Sequence, residues 1–289
     1  MPELPEVHAL AADLRQRMTG HTVGSLLVTS IAALKTFDPS PSDLAGTPVV
    51  DVQRHGKFLD LTIGDLHLVV HLAKLGWIRW SDTLPPLARS ARKTTAAARL
   101  ALEDGSGVTV TEWGPKKRLA IWIVHDPADV PGIATLGPDP LDPSFTEERF
   151  AAILAGSGRA QIKGVLRHQG VIAGIGNAYS DEILHVARMS PFKPAAMPPE
   201  DVARLYVALR ETLADAVARS EGLAAAELKG EKKSGMRVHG RTGEACPVCG
   251  DVVRQVRFAD SSLQYCATCQ TGGKPLADRA LSRLGIPLT

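Results

Sequence analysis

The sequence has few aromatic residues, few cysteines, no long apolar run and almost no net charge. Aromatic residues make up 4% of 289 positions, cysteine occurs four times, and 33 Lys plus Arg face 31 Asp plus Glu. No apolar run approaches the ~20 residues that a membrane-spanning helix requires. Glu3 and Glu6 stand where a secretion signal has a basic segment. We therefore expect a globular cytoplasmic protein.

The small net charge is unevenly distributed along the chain. From residue 222 to 289, ten Lys plus Arg against six Asp plus Glu give +4, and the remaining 23 against 25 give −2. A difference of a few charges is more often a solvated surface than a binding patch. The excess of positive charge in the C-terminal part therefore does not indicate a polyanionic partner unless motifs do so as well.

Two patterns of apolar residues divide the chain. Alternating stretches between His21 and Asp126 predict an antiparallel β-sandwich after one amphipathic helix, whereas helical spacing prevails between Phe145 and Ser220. A turn is predicted at Asp104–Gly107. The predicted strands are Val23–Val28, Val49–Gln53, Phe58–Ile63, Leu66–Leu72, Trp77–Trp80, Ala98–Leu102, Val108–Glu112 and Leu119–Val124.

These patterns predict an α+β fold in four parts. Residues 1–130 form the N-terminal helix and β-sandwich, 131–145 a proline-rich linker, 146–242 a mostly helical domain, and 243–289 a cysteine module. Within the helical domain, the segment between Gly222 and Gly243 is rich in charge and glycine. We predict a mobile loop there.

All four cysteines lie in the last part of the chain, as two Cys-x-x-Cys pairs separated by sixteen residues. They are Cys246, Cys249, Cys266 and Cys269. Two disulfides are the alternative, but a chain without a secretion signal is expected in a reducing compartment. The spacing predicts a structural zinc site, because four thiolates fill the tetrahedron and leave no position for water. The metal should hold a β-hairpin that carries Arg254 and Arg257.

The N-terminus reads Met1-Pro2-Glu3-Leu4-Pro5-Glu6-Val7 and allows two interpretations. The simpler one is a proline-containing helix start with favourably placed acidic residues. The chemical alternative begins with removal of Met1, which leaves the secondary amine of Pro2 as the chain end. An α-amine has a generic pKa of about 7.7 to 8.0, so a substantial fraction is unprotonated and nucleophilic near neutral pH. Glu3 could then transfer protons as a general acid or base.

Motifs along nearly the whole chain resemble, in their order, the formamidopyrimidine-DNA glycosylase and endonuclease VIII family. They are Met1–Val7, Arg54–Lys57, His71–Leu72, Leu136–Leu141, Ile162–Lys163, Gly174–Glu182 and the four-cysteine finger. The resemblance implies a helix-two-turn-helix element in the helical domain, one structural zinc ion, damaged DNA as partner, a monomer, and association with the nucleoid.

The same resemblance implies a bifunctional DNA glycosylase and abasic-site lyase. The Pro2 amine would attack C1′ of the damaged nucleotide, expel the base and form an iminium, after which one or two phosphates are eliminated. The implied catalytic residues are Pro2, Glu3, Glu6 and Lys57. The implied DNA-binding residues are His71, Lys74, Arg118, Lys163, Gly174, Gly176, Asn177, Arg254 and Arg257.

The sequence departs from the family pattern where side chains fill the void left by a flipped base. Lys74 replaces the usual methionine, Glu112–Leu119 lacks the usual arginine and phenylalanine, and Ser261 replaces an arginine of the finger. The void could be filled by Lys74, Leu75, Trp113 or Arg118. We therefore expect weak duplex affinity and a preference for neither plain 8-oxoguanine nor plain oxidised pyrimidines.

Two other function classes remain open from the sequence. The first is a DNA-binding protein that kept the scaffold and the finger but lost catalysis. The second is a zinc-ribbon interaction module attached to an unrelated β domain. Pro2, Glu3 and Lys57 together favour the enzyme, because a pure binding protein has no use for a free proline amine.

Overall fold

The computed structural model describes residues 1–85, 95–259 and 261–277. The chain divides into two units. The first contains Met1–Leu136 and Ser220–Lys229, and the second contains Gly137–Arg219 and the chain from Gly230 onward. In the described ranges, no helix has the length and apolar character needed to cross a membrane.

The first unit begins with helix α1, Leu4–Met18, which starts at the position where the sequence changes from prolines and acids to apolar periodicity. Glu3 is the N-cap, and its backbone N–H donates to the Glu6 carboxylate at 2.8 Å in a capping box. The buried face of the helix includes Leu10 and Leu14 and packs on two strands of the sandwich.

Two four-stranded antiparallel sheets form the sandwich, and the inward side chains of both make its core. All eight predicted strands are confirmed. Their bounds are β1 Val23–Val28, β2 Val49–His55, β3 Phe58–Ile63, β4 Leu66–His71, β5 Gly76–Ser81, β6 Ala96–Leu102, β7 Gly107–Glu112 and β8 Ala120–Val124. One sheet has the order β1-β6-β7-β5 and the other β2-β3-β4-β8.

The second unit is mostly helical and ends in a β-hairpin, as the sequence predicts. Its apolar periodicity produces helices with buried faces centred on Leu154, Leu184 and Leu209. From residue 147 onward the elements are α3 Glu147–Ser157, α4 Ile162–Arg167, α5 Asn177–Val186, α6 Pro199–Ser220, α7 Leu228–Gly235, β9 Val253–Arg257, β10 Ser262–Cys266 and α8 Ala267–Thr271, of which α7 begins in the first unit.

The segment predicted as a mobile loop between Gly222 and Gly243 contains helix α7, so that prediction is wrong for Leu228–Gly235. The helix starts at Leu228, which is fully buried in the core of the first unit. Ahead of it, the Trp77 indole N–H donates to the Ala225 carbonyl at 3.0 Å. Contacts with residues distant in sequence therefore stabilise a helix in a segment that is rich in charge and glycine.

The predicted linker 131–145 also contains a helical turn, α2, Pro131–Ala134. Gly132 lies against Phe58: a Cβ at Gly132 would lie 2.5 Å from the Phe58 ring. The contacts of the chain place the boundary between the two units at Leu136 and Gly137. The first half of the predicted linker thus belongs to the β-sandwich unit.

Candidate functional site

The start of helix α1 concentrates polar groups in a buried place. Pro2 is buried, and Glu3 and Glu6 are only 2% and 1% exposed. Met1, by contrast, is 47% exposed. Buried carboxylates are costly unless hydrogen bonds stabilise them, and the capping box supplies such bonds. The arrangement holds two carboxyl groups in fixed positions directly after the chain end.

Lys57 lies in the turn between β2 and β3, the two strands against which α1 packs. Its side chain is 7% exposed. Burial, and secondly the positive charge of Lys57, lower the pKa of His71 at the end of β4 to about 4. The His71 ring also lies 4.7 Å from the Phe58 ring. The lowered pKa favours the uncharged form of His71 at neutral pH, and its contact with DNA stays a prediction.

The loops that follow β4 and β7 meet at the surface of the first unit. The backbone N–H of Trp113 donates to the Leu75 carbonyl at 3.2 Å. Gly114 lies close to the Leu75 side chain, because a Cβ at Gly114 would lie 2.6 Å from Leu75 Cδ1. Leu75 and Trp113 nevertheless remain 44% and 51% exposed. Lys74 and Arg118 are exposed on the same two loops. Two large apolar side chains are thus exposed to solvent on loops that also carry two cationic side chains.

Glu112 organises the second of these loops, a role that the sequence did not indicate. Its carboxylate is 2% exposed and accepts the backbone N–H groups of Arg118 and Leu119 at 2.6 and 2.9 Å. Its carbonyl accepts the Lys117 ammonium at 2.6 Å. A buried acid thereby fixes the loop that presents Trp113 and Arg118.

In the second unit, the turn Gly174–Gly176 leads into helix α5. Gly174 has φ +87°, a left-handed conformation that favours glycine. Gln169 braces the turn: its Oε1 accepts the Gly174 N–H at 3.0 Å and its Nε2 donates to the Ile175 carbonyl at 2.7 Å. The N-terminus of an α-helix carries a partial positive charge, so the start of α5 favours an anion.

Lys163 supports this turn from within the protein. Its Nζ lies 2.6 Å from Asp181 Oδ1, 2.7 Å from Ser180 Oγ and 3.1 Å from the Asn177 carbonyl. The side chain is 6% exposed, and Asp181 is fully buried. The other Asp181 oxygen contacts His239 Nδ1 at 2.8 Å. The lysine ammonium thus has three acceptors inside the protein, and its contact with a DNA phosphate stays a prediction.

We predict that Lys163→Met strongly destabilises the second unit. Removing one partner of a buried ion pair typically costs about 3–5 kcal/mol, because the remaining charge stays buried without compensation. Lys193→Met is the matched control, since Lys193 pairs with Asp201 at a more exposed site and surface pairs contribute at most about 1 kcal/mol. Urea unfolding followed by circular dichroism measures both. Equal losses would contradict the assigned role.

Glu182, next to Asp181, connects helix α5 to the segment before the finger. Its carboxylate accepts the backbone N–H groups of Arg237, Val238 and His239 at 2.7, 3.0 and 2.8 Å. Burial raises the pKa of Glu182, and the three N–H donors oppose that shift. Val238 in turn packs with Cys246 and Cys266 in the small core of the finger.

The four cysteines form a cluster that fits zinc. Their sulfur atoms all lie within 4.8 Å of one another. The Cys246 and Cys269 sulfurs are 3.9 Å apart, and those of Cys249 and Cys266 are 3.4 Å apart. Sulfurs bound tetrahedrally at about 2.3 Å from zinc lie about 3.8 Å from one another, whereas a disulfide requires about 2.05 Å. The cysteines are free, so the predicted metal site is favoured over disulfides.

The finger hairpin β9–β10 separates the two arginines that the sequence predicts as DNA contacts. Arg254 and Arg257 are three residues apart on one strand and therefore point to opposite faces. Arg254 forms an ion pair with Asp251 at 3.0 Å. Arg257 is exposed and lies opposite Ser262, whose carbonyl accepts the Asn177 side-chain N–H at 2.8 Å. Arg257 is thus the arginine whose pairing partner in the hairpin, Ser262, contacts the first residue of α5.

Comparison with known protein families gives three matches along the chain. Residues 1–115 match the formamidopyrimidine-DNA glycosylase N-terminal domain. Residues 136–226 match the H2TH domain of the same enzyme. Residues 243–272 match the zinc finger found in FPG and IleRS. Together these matches cover most of the chain and agree with the resemblance of its motifs.

Curated relatives agree with these matches. The formamidopyrimidine-DNA glycosylase of Thermus thermophilus is 34% identical over 284 residues, which cover 94% of this chain and 100% of that protein. That of Symbiobacterium thermophilum is 32% identical over 93% of this chain and 89% of its own length. An uncharacterised formamidopyrimidine-DNA glycosylase-like protein of Mycobacterium tuberculosis is 58% identical over 158 residues, or 54% of this chain and 98% of that protein.

Solved structures share the fold. The Thermus thermophilus MutM (FPG) protein aligns with a TM-score of 0.79 at 32% identity and covers 95% of this chain and 100% of its own. The Lactococcus lactis formamidopyrimidine-DNA glycosylase, bound non-covalently to DNA with an abasic site, aligns with a TM-score of 0.80 at 26% identity. It covers 93% of this chain and 99% of its own.

Proposed function

Since the chain belongs to the formamidopyrimidine-DNA glycosylase family, we propose that it excises damaged bases and cleaves abasic sites through its N-terminal proline. Membership of the family makes it a DNA-repair glycosylase with one structural zinc ion. The lyase activity and the proline chemistry are the proposal. The observation that carries them is the buried Glu3 carboxylate directly after Pro2.

The proposed first step is attack by the Pro2 amine on C1′ of the damaged nucleotide. The new C–N bond forms as the glycosidic bond breaks, and the departing base takes up a proton from an acid, a role that suits Glu3. The proline nitrogen then loses its proton and forms the C1′=N double bond of an iminium, while the ring oxygen leaves C1′ and takes up a proton to become the 4′ hydroxyl. The positive iminium acidifies the C2′ hydrogen, so a base removes that proton and the 3′ phosphate departs with the electron pair.

We also propose that several residues contact DNA phosphates and that Glu6 positions Glu3. Lys57 is one residue before β3, which packs against α1, and its ammonium suits a phosphate beside the lesion. Gly176, Asn177 and Arg257 would contact phosphates of the DNA backbone through backbone N–H groups and side-chain donors, and Gly174, whose N–H donates to Gln169, would shape the turn before α5. Glu6 fixes the backbone of Glu3 through the hydrogen bond between them.

Borohydride trapping on DNA with an abasic site tests the enzymatic proposal. Wild-type protein should form a covalent, reductant-dependent adduct and should cleave the strand. The competing function, a DNA-binding protein without catalysis, is expected to bind the same DNA and form no adduct. Protein with verified removal of Met1 that binds but forms no adduct would therefore overturn the proposal in favour of the binding protein.

We propose that Leu75 and Trp113 fill the space left when the damaged base leaves the stack. Proteins that distort DNA insert apolar side chains between bases, and aromatic side chains stack on unpaired bases. Leu75 and Trp113 are exposed and joined by a backbone hydrogen bond. Lys74 and Arg118 are then free to contact phosphates. The proposal thus selects two of the four side chains that the sequence offers for filling this space.

Trp113→Ala should therefore lower excision from duplex DNA more than from a single strand that carries the same lesion. A base stacked on an aromatic side chain contributes about 1–3 kcal/mol, so we expect a duplex-specific loss of roughly 5- to 150-fold in kcat/KM. Phe37→Ala is the control, because Phe37 is 82% exposed in the same unit. Equal losses on duplex and single strand would contradict a wedge role.

The lesion preference follows from the same two loops. Without the usual methionine, arginine and phenylalanine, the protein should prefer neither plain 8-oxoguanine nor plain oxidised pyrimidines. Duplexes, bubbles and single strands with each lesion form the test panel. Strict preference for 8-oxoguanine opposite cytosine would contradict this expectation.

A further inference from the structure

A buried histidine contacts the four-cysteine cluster without being one of the four zinc ligands. His185 stands in the last turn of helix α5 and is 2% exposed. Its Nε2 lies 3.3 Å from the Sγ of Cys246, a distance within hydrogen-bond reach of sulfur. The four cysteines already complete a tetrahedron. The imidazole therefore acts on the site through a sulfur atom and not on the metal itself.

The direction of this hydrogen bond follows from the chemistry of the acceptor. A zinc-bound cysteine is a thiolate, which has no proton to donate. The facing nitrogen must therefore carry the proton. In the described part of the chain, the other ring nitrogen, Nδ1, has no hydrogen-bond partner. The contact with Cys246 is thus the polar interaction that orients the His185 ring.

The N-terminal end of helix α5 also contacts the finger. Asn177, the first residue of α5, donates its side-chain N–H to the Ser262 carbonyl at the start of β10. His185 follows eight residues later, about 12 Å along the helix. Three residues after the end of α5, the Met189 carbonyl accepts a hydrogen bond from Gln270 Nε2 of the finger at 2.9 Å. The finger is attached to α5 at both ends, and one attachment is a zinc ligand.

We propose that His185 is a positioning residue of the zinc site, donating its Nε2–H to the Cys246 thiolate and fixing the metal cluster to helix α5. Hydrogen bonds to metal ligands orient them and tune their charge, and their loss typically costs about 10- to 100-fold in metal affinity. The proposal is independent of the chemistry at Pro2. It adds a fifth residue to the metal site that the Cys-x-x-Cys spacing does not reveal.

Zinc competition with a chelator tests the proposal in full-length protein. His185→Phe keeps a ring of similar size but removes the donor, and we expect about 10- to 100-fold weaker zinc binding. His185→Gln keeps an N–H at a similar reach and should recover most of the affinity. His125→Phe is the matched control, because His125 is exposed in the other unit. Unchanged zinc affinity in folded His185→Phe would overturn the proposal.

Cobalt substitution supplies a readout that simple packing would not change. Removal of a hydrogen bond leaves the thiolate more electron-rich, so its charge-transfer band to Co²⁺ should move to lower energy in His185→Phe and return in His185→Gln. If His185→Phe does not fold, nitrogen NMR of the zinc-loaded wild type decides the question. The Nε2–H tautomer of His185 is expected, and an Nδ1–H tautomer would overturn the proposal.

Discussion

Protein in which Pro2 is replaced by leucine should form no adduct with abasic DNA and should lose base excision. A large residue at this position prevents removal of Met1, so the chain-end amine moves by one residue, about 3.8 Å. Displacing a reacting group by even about 1 Å can cost 10²-fold, and loss of a nucleophile costs far more. We therefore expect a decrease on the order of 10³-fold or more in excision rate.

Pro2→Gly is the matched control for this substitution. Glycine permits removal of Met1 and leaves a chain-end amine next to Glu3, so a measurable fraction of the activity should remain. Single-turnover excision and borohydride trapping are compared for the three proteins, with Met1 status checked by mass. Equal activity of Pro2→Leu and wild type would show that another group attacks the sugar.

Removal of zinc should abolish tight DNA binding and unfold the finger. The finger has two small apolar clusters, one with Val238, Val253, Cys246 and Cys266 and one with Val256, Leu263, Tyr265 and Ala267 as buried members, so we expect the metal to supply much of its stability. Unfolding of the finger would remove the proposed phosphate contacts of Arg257 and release Asn177 from Ser262. Two contacts with charged groups, each about 1.5–3 kcal/mol, correspond to a loss on the order of 10²-fold or more in DNA affinity.

Anisotropy titration with abasic duplex, before and after treatment with a chelator, measures this effect. Zinc should restore the affinity and Mg²⁺ should not, because Mg²⁺ prefers oxygen ligands. Burial raises the pKa of the Cys266 thiol to about 11 before zinc displaces its proton, so reloading should also release protons. DNA affinity unchanged in zinc-free protein would contradict the proposed contribution of the finger.

The sequence predicts those parts of the fold that depend on local patterns. Alternating residues define β3 and β4 because each strand buries one face in the sandwich. The two Cys-x-x-Cys pairs predict the zinc site because ligand spacing is itself a local property. The helical periodicity after Phe145 likewise corresponds to buried faces of α3 to α6.

The remaining features depend on contacts between distant residues, which local patterns do not encode. Helix α7 forms although its segment is highly charged, because Leu228 reaches an apolar core more than a hundred residues away in sequence. Asp60 is buried in a strand because His55 and His67 contact its two oxygens at 3.0 and 2.9 Å. Lys163 is predicted as a contact of a DNA phosphate, and its buried ion pair with Asp181 is not indicated by the sequence.

Peptide mapping of the borohydride-reduced adduct tests the central claim most directly. Wild-type protein is incubated with abasic duplex and reductant, digested with a protease, and analysed by mass spectrometry. We predict that Met1 is absent and that the sugar fragment is attached to the nitrogen of Pro2. A fragment attached to a lysine side chain, or to protein that retains Met1, would contradict the proposed chemistry.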